Sequence, residues 1–115
     1  MQSNIYGKKS EIIASQFLKK KGYKIIETNY KNKIGEIDII AKDKDYLVFV
    51  EVKARMSRAF GDPAEAVDLK KQQKIRDVAQ LYLIKTGKTE KNCRFDVVAL
   101  LGGEQPFINH VIDAF

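Results

Sequence analysis

The chain has 115 residues, 44% of them hydrophobic and 10% aromatic, enough for one packed domain over 1–115 and too few for a second core. Its 21 Lys and Arg outnumber 15 Asp and Glu for a formal charge of +6, and the longest apolar runs, Tyr46–Val50 and Val97–Leu101, are too short to cross a membrane. A single cysteine, Cys93, excludes an internal disulfide and a cysteine-rich zinc site. With no apolar leader at the start, it points to a reducing cytoplasm.

Ile13, Ala14, Phe17 and Leu18 recur at helical spacing and Gly22 follows Lys19-Lys20-Lys21, so a helix is expected from about Ser3 to Lys21. A short strand, Tyr23–Glu27, should follow. Residues Ile34–Lys42 and Tyr46–Lys53 alternate like strands around the turn-prone Asp43-Lys44-Asp45. Asp62-Pro63-Ala64-Glu65 has the form of a capping box, with Asp68 as an alternative cap one turn later. Ile75, Val78, Ala79 and Tyr82 then make the apolar stripe of a second helix ending near Gly87. Arg94–Leu101 and Phe107–Ile112 read as a final hairpin around Gly102-Gly103. The order α-β-β-β-α-β-β implies an α/β domain, a mixed β-sheet flanked by helices.

The surplus charge is concentrated. Residues 1–33 hold eight lysines (Lys8, Lys9, Lys19, Lys20, Lys21, Lys24, Lys31, Lys33) against Glu11 and Glu27, and residues 34–115 balance at 13 basic and 13 acidic groups. On charge alone a solvated lysine-rich face is the more economical reading, and a footprint for nucleic acid the sharper one.

The central hairpin sharpens it. A two-residue turn at Lys44-Asp45 places Asp43 opposite Tyr46, and that register puts Ile37, Ile39 and Ala41 across from Val52, Val50 and Val48 on one apolar face. The other face pairs Glu36 with Lys53, Asp38 with Glu51 and Ile40 with Phe49. Asp38 and Glu51 then sit with Cβ atoms about 5 Å apart, a destabilising like-charge pair that calls for a partner. Lys53 projects from the same face as Glu51. A lysine could bridge the carboxylates, but a divalent cation fits better, because Mg²⁺ takes one or two carboxylates and completes its shell with water and phosphate oxygens. The competing account is an edge strand carrying charges against aggregation. Glu11, at the border of the first helix's apolar stripe, is a third candidate acid.

Several blocks carry a family resemblance: Gly7-x-x-Ser10-Glu11-x-x-Ala14, Gly22-Tyr23, Asn29-Tyr30, Gly35-Glu36-Ile37-Asp38, Phe49-Val50-Glu51-Val52-Lys53-Ala54-Arg55, Arg94-Phe95-Asp96-Val97 and the terminal Asp113-Ala114-Phe115. Over nearly the whole chain they resemble the bacterial YraN-like family of uncharacterised proteins. That family is in turn similar to archaeal Holliday junction resolvases of the PD-(D/E)xK nuclease superfamily. Ser10 departs from the glycine expected beside the helix glutamate.

The resemblance implies a restriction-endonuclease-like fold and an Mg²⁺- (or Mn²⁺-) dependent endonuclease acting on DNA, with branched or junction DNA as a candidate substrate. It assigns Asp38 and Glu51 as metal ligands, the Val52 carbonyl as a third, and Glu11 as an auxiliary ligand. Lys53 becomes the group that positions or deprotonates the attacking water, and Lys71 a phosphate contact. Lys8, Lys9, Lys19–Lys21, Lys31, Lys33, Arg55 and Arg58 are further candidates for DNA backbone contacts, which position a duplex and carry little sequence information. Resolving a junction takes two cuts, hence a two-fold homodimer, for which the apolar Phe107–Phe115 segment is a candidate surface, although as a final strand it reads more readily as core.

Two other readings stand beside this one. A nucleic-acid-binding module that keeps the nuclease fold without turnover would use the same lysines. An interaction protein with a lysine-rich helix would leave the opposed Asp38 and Glu51 unexplained. No nucleotide-binding glycine loop is present, so no nucleotide cofactor is expected, and Gly102-Gly103 reads as a turn. His110 and Cys93 read as structural, and Asp96 as either a partner of Arg94 or a lysine, or part of the site.

Overall fold

The computed structural model describes residues 2–57, 59, 61, 67–89 and 92–115, with side chains from Lys8 onward. Arg58 and the Asp62–Glu65 capping box therefore lie outside the described residues. The elements run α1 (Gln2–Lys20), β1 (Lys24–Lys31), β2 (Glu36–Asp43), β3 (Tyr46–Arg55), α2 (Leu69–Thr86), β4 (Asn92–Leu101) and β5 (Phe107–Val111), in the order the sequence implies.

α1 stops because Gly22 takes the left-handed conformation, φ 97°. The Gly22 N–H then reaches the Lys19 carbonyl and the Tyr23 N–H the Leu18 carbonyl, each at 3.0 Å, which satisfies the last open carbonyls of the helix. α2 begins at Asp68, whose carboxylate accepts the Lys71 N–H at 2.8 Å; of the two caps legible in the sequence, this one starts the helix.

The five strands form one sheet in the order β1-β2-β3-β4-β5. All neighbours are antiparallel except β3 and β4, which run parallel. Parallel neighbours need a crossover, and α2 supplies it. As the middle strand, β3 is buried continuously from Leu47 to Glu51. Its odd positions Leu47 and Phe49 pack with Ile75, Val78, Ala79 and Tyr82 of α2, and its even positions Val48 and Val50 pack with Ala14 and Leu18 of α1. Each helix thus covers one face of the sheet, and each fully buried aliphatic or aromatic side chain contributes roughly 1.5–3 kcal/mol.

The β2–β3 register is the one deduced from the turn, from Asp43 opposite Tyr46 to Ile39 opposite Val50. Two details differ from expectation. First, Ile37 does not share a face with Ile39 and Ala41: it joins the α2-side cluster, whereas they join the α1-side cluster. The ladder ends at Ile39, so the expected pairs Asp38–Glu51, Ile37–Val52 and Glu36–Lys53 are not part of it, and alternation is broken at Asp38. Second, β1 runs to Lys31 instead of Glu27. It contains a bulge between Ile25 and Glu27 and a left-handed residue, Asn29 (φ 54°), which together erase the period-two signal of a strand. The β1–β2 turn is fastened to α2 by Asn32. Its Oδ1 accepts the Ile34 and Gly35 N–H groups, and its Nδ2 donates to the Val78 carbonyl and the Tyr30 hydroxyl.

Candidate active site

Where β2 leaves the ladder, the Asp38 carboxylate takes over from the backbone: its Oδ2 accepts the Val52 N–H at 2.8 Å. This anchors Asp38 beside Glu51, which is buried on the α2 side of the sheet with 7% of its side chain exposed. Burial, then the Glu51 charge and the hydrogen bond with Glu51, push the Asp38 carboxyl up to about 7, against the opposing Val52 N–H. Below neutrality Asp38 therefore keeps a proton beside Glu51.

Two lysines supply opposite charge. Lys53 Nζ, from the same strand, and Lys71 Nζ, from the first turn of α2, each lie 3.6 Å from Glu51 Oε2. Glu11 approaches from α1. Partial burial and then the Asp38 charge raise its pKa, and a hydrogen bond from the Asn29 side chain counteracts the rise.

Among the described residues no three acidic, His or Cys side chains converge to hold a metal ion, so the close donors are the Asp38–Glu51 pair. That donor set suits a hard cation: two carboxylates side by side, with the Val52 carbonyl on the same stretch of backbone. Glu11 stands back from the pair, close enough to feel Asp38.

Comparison with known proteins places the chain in a family. The family described as "Uncharacterised protein family UPF0102" matches residues 10–100, which contain all four of Glu11, Asp38, Glu51 and Lys53. The chain belongs to the UPF0102 family. The UPF0102 protein of Caldanaerobacter subterraneus subsp. tengcongensis is 48% identical over 113 residues, covering 95% of this chain and 93% of the relative. That of Clostridioides difficile is 46% identical over 115 residues and 100% of both chains. That of Acetivibrio thermocellus is 52% identical over 93 residues, 80% of this chain and 72% of the relative.

The lysines of this UPF0102 chain divide by position. Lys31 and Lys71 line an open cleft of about 350 Å³ between the β1–β2 turn and α2, together with Asn32, Gly35, Glu36 and Lys74. Lys74 is not among the lysines the sequence singles out, though it lies one helical turn beyond Lys71 and so on the same face. Gly35 leaves room for it, since a Cβ there would come within 3.1 Å of Lys74 Cε. Lys8 and Lys19 flank Glu11 and Asn29 in a second pocket. Lys33 is exposed in the β1–β2 turn. Lys9 lines an apolar groove with Ile12, Ile13, Met56 and Pro106, and the Arg55 guanidinium donates to the Ala54 carbonyl. Lys21 is drawn away to His110 Nδ1 at 2.8 Å.

Asp96 belongs elsewhere. It registers with Val50 in the parallel ladder, which puts it on the α1 face, opposite to Glu51. There it is fully buried and accepts hydrogen bonds from Arg94, Tyr23, His110 and the Asp113 N–H. Burial would raise its pKa, but the bonds from His110, Arg94 and Asp113 outweigh it and hold the carboxyl well below its usual range. Because Lys21 donates to His110 Nδ1, the ring proton sits on Nε2 and points at Asp96, so histidine and aspartate form one structural unit. Burial also raises the Cys93 thiol, which weakens it as a nucleophile. Among the described residues, no helix is long and apolar enough to cross a membrane.

Proposed function

We propose that this chain is a metal-dependent endonuclease that hydrolyses DNA phosphodiester bonds in the cytoplasm, with branched DNA as its candidate substrate. The observation that carries this reading is Asp38 tied to the Val52 N–H at 2.8 Å beside the buried Glu51, with Lys53 and Lys71 both 3.6 Å from Glu51. Asp38, Glu51 and the Val52 carbonyl would hold Mg²⁺ or Mn²⁺, with Glu11 behind them. A divalent cation supplies, when bound, an acidified water and positive charge for the phosphate. Its charge would compete with protonation of Asp38.

The protein's own groups do the rest. Lys53, part exposed at 23%, can leave Glu51 to orient the attacking water and meet the charge that develops on phosphorus oxygens. Lys71, Lys31 and Lys74 line the cleft beside the pair and suit the phosphates of the bound strand. Lys8 and Lys19 extend the positive surface past Glu11. Such contacts read backbone shape in preference to sequence. Cutting both strands of a junction would take two copies related by a two-fold axis.

The test is cleavage of branched, linear and single-stranded DNA with and without Mg²⁺ or Mn²⁺. Glu51→Ala and Lys53→Ala should abolish metal-dependent cleavage and leave the fold and metal-free DNA affinity near parental. Parental cleavage by both variants overturns the assignment. DNA binding without cleavage by the parent, and without a metal response in its melting temperature, would favour the non-catalytic binding module.

A further inference from the structure

Three non-glycine residues among those described have positive φ: Asn29, Lys44 and Asp113. Lys44 and Asp113 lie in turns, where that conformation is routine, whereas Asn29 lies inside strand β1. A left-handed residue within a strand interrupts its pleat, and asparagine is among the few side chains that tolerate the conformation.

Its position in the sheet is specific. β1 and β2 pair Thr28 with Ile39 and Tyr30 with Ile37, which leaves Asn29 opposite Asp38. Asp38 is also where β2 changes face, since Ile37 packs with Tyr30 on the α2 side and Ile39 packs on the α1 side. One irregularity in β1 thus faces the one in β2 that lets Asp38 leave the ladder and bond the Val52 N–H. The Asn29 side chain meanwhile lines the same pocket as Glu11, and its polar end counteracts the rise in the Glu11 pKa. A carboxylate can only accept, so the Asn29 amide donates.

We propose that Asn29 is the positioning residue of the acidic site: its left-handed backbone turns Asp38 toward Glu51, and its amide holds Glu11 toward Asp38. This rests on the nuclease reading and deepens it, by giving the Asn29-Tyr30 motif a task and by assigning Glu11 its orientation.

The experiment is calorimetric titration of Mn²⁺ into the parent, Asn29→Gly, Glu11→Ala and the double variant. Glycine keeps the left-handed backbone and removes only the amide, so Asn29→Gly should fold and melt like the parent yet bind Mn²⁺ about tenfold more weakly. If the amide acts through Glu11, the double variant should bind no more weakly than Glu11→Ala alone. A second, metal-free readout is the Val52 amide, which bonds Asp38: Asn29→Val, which resists positive φ, should lose its exchange protection, and Asn29→Gly should keep it. Parental Mn²⁺ affinity in Asn29→Gly, losses that multiply in the double variant, or an Asn29→Gly chain that does not fold would each overturn the proposal. A parent that binds no Mn²⁺ would overturn the nuclease reading, and this inference with it. Cleavage and Mn²⁺ binding that need Glu51 but ignore Asn29 would remove this inference alone.

Discussion

Asp38 lies against Glu51 at the point where β2 and β3 part, and neither strand's backbone alone would hold them there: Asp38 is fixed by the Val52 N–H, and Glu51 by Lys53 and Lys71. The pair is therefore both a candidate metal site and a pH-sensitive element of the fold.

The sign of that sensitivity follows from linkage. Asp38 moves from its ordinary 3.8 to about 7 on folding, through burial first and then Glu51, with Glu36 adding to the push. Across that window the folded chain keeps a proton that the unfolded chain has released, so stability falls as pH rises. Glu11 is raised too and acts in the same direction. Asp96, held low, loses its contribution only at more acidic pH. The metal-free protein should therefore melt at progressively lower temperature from about pH 4 to pH 7. Each pKa unit is worth about 1.4 kcal/mol, or roughly 5 °C for a domain of this size. Asp38→Asn should flatten the profile; an unchanged slope would show that the proton is bound elsewhere.

Lys71 should register in nucleic-acid binding through salt. It lies 39% exposed between Glu51 and the cleft, so it can contact phosphate while staying near the carboxylates. Lys71→Met and Lys74→Met should each weaken metal-free DNA binding similarly across sequences and reduce the slope of log affinity against log salt by about one. Lys9→Met, on the apolar groove, should leave that slope unchanged. Equal slopes for all three variants would remove the cleft from the strand's path.

The helix cap is a smaller, cleaner test. Asp68 accepts the Lys71 N–H, and replacing such a cap with alanine costs about 1 kcal/mol. Asp68→Ala should therefore lower the unfolding free energy by about that amount in urea titration. It should also loosen the first turn of α2, which carries Lys71 to Glu51, and so reduce the Lys71 contribution to DNA binding.

How far the sequence reached is explained by which forces act locally. The hairpin register is legible from Asp43 to Ile39 because a two-residue turn and an alternating apolar face constrain pairing from within one short segment, and it brings Asp38 to the end of the ladder near Glu51. The end of the ladder was not legible, because it depends on Asn29 in another strand and on a side chain substituting for a backbone acceptor. Lys74 was hidden for a similar reason: its place in the cleft depends on Gly35 and on Asn32 tying a distant turn to α2. Asp96 lay in a motif beside Arg94, but only the parallel β3–β4 pairing, made through a crossover, shows that it faces away from Glu51.

That placement separates two acids that a motif treats alike. Asp96 is 0% exposed and neutralises Arg94, which also reaches Asp43 at the β2–β3 turn. Tyr23 from the α1–β1 connection and His110 from β5 converge on the same carboxylate, so it ties that connection and the edge strand to β4. Asp96→Asn would leave Arg94 charged and short of its partner in a buried setting, a class of change that costs about 3–5 kcal/mol. The variant should lose that much stability in urea titration, and whatever fraction remains folded should bind Mn²⁺ with parental affinity. Glu51→Ala should do the reverse, sparing the fold and losing the metal. Metal binding that fails in folded Asp96→Asn would instead make Asp96 part of the site and undo the separation of the two faces.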